Sequence, residues 1–78
     1  MTIETMTINQ LITALEVIKK ELKEKVKNTG DIPVLLSIDP EGNGFSTMNP
    51  KWSFCYEPNS KMGNVLIIYP YEENIDLA

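Results

Sequence analysis

Residues 7–30 read TINQLITALEVIKKELKEKVKNTG, and this stretch settles the α half of the fold. Thr7 and Gln10 have the spacing of a capping box: the Thr hydroxyl accepts from the Gln10 N–H, and the Gln10 side chain reaches back to the Thr7 N–H. Apolar residues follow at Ile8, Leu11, Ile12, Leu15, Ile18, Leu22 and Val26. They recur at the helical period, which predicts one long amphipathic helix over roughly residues 8–28. Glu16/Lys20 and Glu21/Lys25 are i,i+4 pairs in the favourable order on the opposite side. Lys19, Lys20, Lys23, Lys25 and Lys27 crowd toward the C-terminal end, where cations suit the helix dipole. Asn28-Thr29-Gly30 is a stop signal, with Gly30 expected in the left-handed conformation.

Upstream, Met6-Thr7-Ile8 repeats Met1-Thr2-Ile3. Met6 reads equally as an alternative start, with residues 1–5 a frayed extension, or as a coincidence of triplets. Downstream, Asp31-Ile32-Pro33 turns into an extended run, Val34 to Ile38, with Pro33 at the start of the strand. Asp39-Pro40-Glu41-Gly42-Asn43-Gly44 is a dense turn signal. Phe45 to Pro50 is irregular or at most a brief strand. Lys51 to Glu57 alternates, with Trp52, Phe54 and Tyr56 on one face and Ser53 and Cys55 on the other. Pro58 to Gly63 reads as a hairpin loop longer than two residues. Val65 to Tyr69 is a third strand, stopped by Pro70, and residues 72–78 form a loose acidic end.

These elements predict an α+β domain spanning residues 1–78: one long N-terminal helix packed on a small, mostly antiparallel three-stranded sheet. The aromatic face of Trp52, Phe54 and Tyr56 is the expected seat of the helix. The other face then shows Leu35, Leu66 and Ile68 around Ser53 and Cys55, a patch suited to association. The two faces are interchangeable in this reading, because the first and third strands are apolar on both sides.

The chain has 78 residues, no His, a single Cys and a net charge of −4 from seven Lys and eleven acids. A domain this small buries only about 60–65% of its unfolded surface. Such domains are often helped by disulfides, metals or oligomerisation. Cys55 has no partner for a disulfide within the chain, and a Cys/His metal site is excluded. Association with a protein partner or a second copy is therefore expected. Overall acidity argues against direct nucleic-acid binding, which needs a basic footprint. No apolar run reaches a membrane span, no signal peptide is recognisable, and one unpaired Cys fits a reducing cytoplasm.

Little here carries chemistry. Asp39, Glu41, Asn43 and Gly44 match loop positions 1, 3, 5 and 6 of an EF-hand, but Ser46 and Pro50 break it at positions 8 and 12. The stretch reads as an acidic turn, at most a weak cation loop, so no metal is assigned. Cys55 lies mid-strand with no His to act as its base, and reads as a small half-buried residue. No pair of carboxylates stands in a context for acid–base work, and no glycine-rich phosphate loop precedes a helix. No catalytic residue and no cofactor are assigned. The aromatics Trp52, Phe54 and Tyr56 read as core rather than as a base-stacking platform. Tyr69 and Tyr71 flank Pro70 and are the more exposed aromatic anchors for a partner.

Four motifs occur in order: Thr7-Ile8-x-x-Leu11-Ile12-x-x-Leu15, Gly30-Asp31-Ile32-Pro33-Val34, Ser37-Ile38-Asp39-Pro40-Glu41-Gly42-Asn43 and Val65-Leu66-Ile67-Ile68-Tyr69-Pro70. The series resembles a group of small, largely uncharacterised accessory proteins encoded by bacteriophages and prophages. The resemblance covers about residues 6–70 and brings no functional residues with it. It implies a phage accessory product acting in the bacterial cytoplasm. Trp52 to Met62 departs from the group, so that hairpin is where this member is expected to differ.

The function expected is that of a non-enzymatic module that docks on a host or phage protein and modulates it, a host-defence inhibitor being one form. Leu35, Leu66, Ile68, Tyr69 and Tyr71 are its expected contact residues. An oligomeric protein sequestering a small ligand or nucleotide, and a structural homo-oligomer, are the alternatives.

Overall fold

A computed structural model describes residues 4–77 of the chain, so the opening Met1–Ile3 triplet lies outside the described residues. Helix α1 spans Ile8–Leu22. Its start is the expected capping box: Gln10 N–H donates to Thr7 Oγ1 over 3.1 Å, and Thr7 N–H donates to Gln10 Oε1 over 2.9 Å. Its end comes at Leu22 rather than near residue 28. The Leu22 carbonyl accepts from both Lys25 and Val26 N–H, each over 2.9 Å, which tightens the last turn. Lys23 already follows Lys19 at the i,i+4 spacing, and continuing the helix would add Lys27 over Lys23 as a second like-charge pair. The left-handed residue of the stop is Asn28 (φ 54°, ψ 46°), not Gly30. Asn tolerates that conformation through its short polar side chain. A 3₁₀ turn, Thr29–Asp31, follows.

The chain divides into two compact units, Met1–Pro33 and Val34–Ala78. The first unit holds α1. Leu11 and Leu22 of its stripe are half-buried, as is Ala14, while Ile8, Ile12, Leu15 and Ile18 are each about half exposed.

The second unit is all β and contains two antiparallel two-stranded sheets. Strand β1 (Leu36–Ser37) pairs with β2 (Phe45–Ser46), matching Leu36 to Ser46 and Ser37 to Phe45. Ile38 N–H extends this ladder to Gly44 O over 3.0 Å. A Cβ at Gly44 would lie 2.9 Å from Ile38 Cδ1, the tip of an exposed side chain that would have to move aside. Strand β3 (Phe54–Ser60) pairs with β4 (Gly63–Ile68). The fold is therefore α+β, with four strands, and β1 pairs with β2 rather than joining the hairpin in one three-stranded sheet.

Of three differences from the sequence-based expectation, the first two have a local cause, side-chain capping of backbone groups, and the third rests on contacts between distant residues. Residues 51–53 are not strand. Asn49 Oδ1 accepts from Lys51 N–H (2.8 Å) and Trp52 N–H (3.2 Å), Ser53 N–H donates to Asn49 O (3.0 Å), and Asn49 N–H donates to Ser53 Oγ (2.7 Å). This closed turn takes Trp52 out of the pleat, so the residue expected in the core is 72% exposed. The β3–β4 connection is tight: Ser60 pairs with Gly63, leaving only Lys61 and Met62 at the tip. Gly63 takes the left-handed conformation (φ 86°), and Ser60 Oγ bridges to Gly63 O and Met62 N–H. Pro58 is accommodated because the register shifts between Glu57 and Ser60, and a bulge needs no N–H there. Finally, part of the expected loose end is tied. Tyr71 N–H donates to Thr47 O, Thr47 N–H to Glu72 O, Glu72 N–H to Thr47 Oγ1 and Ile75 N–H to Phe45 O, all within 3.0 Å.

Among the described residues no apolar side chain is buried; the two buried residues are Ser46 and Ser53.

Candidate functional site

Direct cross-strand partners in an antiparallel pair share a face. Phe54 pairs with Ile68 and Tyr56 with Leu66, so these four side chains form one apolar quartet. Tyr56 OH donates to Asn64 Oδ1 over 3.2 Å, on the same face and two residues before Leu66. Each aromatic–aliphatic cross-strand pair contributes about 0.2–1 kcal/mol. Phe54, Tyr56 and Leu66 are exposed, and Ile68 is half-buried. The reverse face carries Cys55 opposite Ile67 and Glu57 opposite Val65.

This register corrects the expected patch. Leu66 and Ile68 lie beside Phe54 and Tyr56, not around Cys55. Placing strands on faces from sequence requires their relative register, and a one-residue slip moves every side chain to the other side. Leu35 precedes β1 and belongs to neither strand of the hairpin. Tyr69 follows Ile68 by one residue, which in an extended chain turns it to the Cys55 side. Its N–H donates to Ser53 O over 2.7 Å. Tyr71 leaves with the segment bonded to Thr47. Of the five expected contact residues, the structure brings Leu66 and Ile68 together on one face. Phe54 and Tyr56, assigned to the other face in the sequence reading, complete it. The signal for them was present as apolar alternation, but the register was not.

The acidic loop is internally satisfied. Asp39 Oδ1 accepts from Glu41 N–H (2.9 Å) and Asn43 N–H (3.2 Å), and Oδ2 accepts from Asn43 Nδ2 (2.9 Å). The same Nδ2 reaches Glu41 Oε2 at 3.3 Å. An amide donor thus sits between the two carboxylates, in the place a cation would take. Asn43, through its side-chain amide foremost and then its N–H, holds the Asp39 carboxyl below its ordinary range; desolvation opposes this, and the Glu41 and Gly42 N–H groups add smaller support. Among the described residues no three Cys, Asp or Glu side chains converge as a metal site would require.

Cys55 is exposed, and its Sγ lies 3.9 Å from the carbonyl of Tyr56. No helix among the described residues is long and apolar enough to cross a membrane. Comparison with protein-family models, curated proteins and solved structures finds no match.

Proposed function

We propose that this chain is a non-enzymatic phage accessory protein that binds another protein and modulates it, with the Phe54–Tyr56–Leu66–Ile68 face as the contact surface. The observation that carries this reading is the aligned quartet on a two-stranded sheet with no buried apolar residue beneath it. A hairpin of this size is marginal alone. Covering one such side chain contributes about 1.5–3 kcal/mol, so a partner that seats on the quartet stabilises the element it binds. The resemblance to phage-encoded accessory proteins supports the setting, a bacterial cytoplasm. The half-exposed apolar stripe of α1 also demands a cover.

Self-association is the second reading. The β3–β4 sheet has only two strands, which leaves each of them an outer edge for pairing with a further copy, whereas β2 already bridges to Ile75 through Phe45. A sequestering oligomer would build its pockets from such contacts.

The test is native mass spectrometry of the tagged full chain recovered gently from host cells, beside Leu66→Lys and Val65→Lys. The reading predicts one stoichiometric protein partner with the parent chain and with Val65→Lys, lost with Leu66→Lys. A bare homo-oligomer in all three samples transfers the function to the second reading. A partner retained by Leu66→Lys refutes the face.

A further inference from the structure

The lysines at the end of α1 are not needed as helix caps. Lys23 N–H donates to Lys19 O over 3.1 Å, and the Leu22 carbonyl already accepts two N–H groups. Beyond the helix, the left-handed Asn28 and the 3₁₀ turn fold the chain back along the last helical turns. A Cβ placed on Gly30 would meet Lys19 Cε at 3.5 Å and Nζ at 3.6 Å, so this ammonium overhangs the turn backbone. The result is an open groove within the first unit, lined by Lys19, Lys20, Lys23 and Lys27, with Glu16 as its one carboxylate. That is a surplus of three positive charges in one groove, in a chain whose net charge is −4.

We infer that this groove binds a small polyanion made of two or more linked phosphates. Charge matching selects the ligand class. A lone carboxylate leaves the surplus largely unanswered, whereas a di- or triphosphate carries three to four negative charges over the span of a few lysines. Lysine serves such groups as a compact point charge, and the chain has no Arg for a bidentate fork. A long nucleic acid is disfavoured by the other unit, where Lys51 and Lys61 face Asp39, Glu41, Glu57, Glu72, Glu73 and Asp76 in the charge balance. Its net negative charge repels an extended phosphate backbone. This site is independent of the hairpin quartet, so either can fail alone.

The experiment is isothermal titration calorimetry of the full chain with sodium pyrophosphate and sodium tripolyphosphate, with sodium sulfate at matched ionic strength as comparator. Saturable one-to-one binding is expected, tighter for tripolyphosphate than for pyrophosphate and weakest for sulfate. The Lys20→Gln/Lys23→Gln variant is expected to weaken it about tenfold, the loss of two exposed charge pairs. Lys51→Gln/Lys61→Gln removes the same charge outside the groove and is expected to change it less than about twofold. Equal loss in both variants, or no saturation with either phosphate, overturns the proposal. ATP binding like tripolyphosphate supports it. ATP more than about tenfold tighter would make the base the determinant, and a single-stranded oligonucleotide tighter than both phosphates would make the site a nucleic-acid surface; either overturns it.

Discussion

Replacing Ser53 by Val separates two accounts of residues 51–57. In the structure Ser53 is 1% exposed, and its Oγ accepts the Asn49 N–H over 2.7 Å. Valine removes that acceptor and leaves the part-buried Asn49 N–H without it. An unmade hydrogen bond of this kind costs about 1–3 kcal/mol. One methyl takes the place of Oγ and a second must enter a site that is almost fully covered, at a further cost of about 1 kcal/mol or more. The expected destabilisation is therefore about 2–4 kcal/mol, from the two contributions together. Ser53→Ala keeps the volume within bounds and is expected to lose only the first of them. If residues 51–57 were instead a continuous strand, Val at this position would suit a pleated surface and would be neutral or stabilising. The assay is urea unfolding followed by the fluorescence of Trp52, the sole tryptophan and a neighbour of the perturbed turn. A Val variant as stable as the parent, or a folded-state Trp52 emission typical of a buried indole, would refute the Asn49–Ser53 turn.

Thr7→Ala removes the acceptor of the capping box and is expected to lower stability by about 1 kcal/mol, read as lost helical circular dichroism in the same unfolding curve. Lys23→Glu turns two like-charge i,i+4 spacings, to Lys19 and to Lys27, into attractive ones. Helical ellipticity should rise as α1 extends past Leu22; an unchanged spectrum would reject charge repulsion as the cause of its end. Asp39 titrates below its ordinary value of 3.8, so the folded state resists its protonation more than the unfolded chain does. Its stabilising effect is complete above that ordinary value and is lost as the pH falls through the lowered one. An NMR pH titration should show the Asp39 carboxyl moving up toward its ordinary value in Asn43→Ala, and no movement would reject the amide as the main cause.

Of the elements, α1 was the most legible, because its determinants are local. Thr7 and Gln10 are three residues apart, and the stripe repeats within single turns. The acidic turn at Asp39–Gly44 was legible for the same reason. The limits of α1 were harder to read, since lysines that favour a helix C-terminus individually oppose its continuation when stacked. The turn at Asn49–Ser53 had a sequence signal, an Asn before Pro50 with Ser four residues on, but the alternation of Trp52, Phe54 and Tyr56 concealed it. The grouping on the hairpin face was not legible: the expectation set Leu66 and Ile68 around Cys55, and the register sets them opposite Tyr56 and Phe54.

The sequence by itself determined the α+β class, the capped amphipathic helix, the turns and the identity of the apolar residues, because each depends on contacts a few positions apart. Only the tertiary structure decided that β1 pairs with β2, that β3 and β4 close through a bulge and a two-residue tip, and that Thr47 and Phe45 hold the segment 71–75. Strand register is set by hydrogen bonds between distant residues, and a period of two is satisfied equally well by either face until a partner strand selects one. That selection put Phe54, Tyr56, Leu66 and Ile68 together.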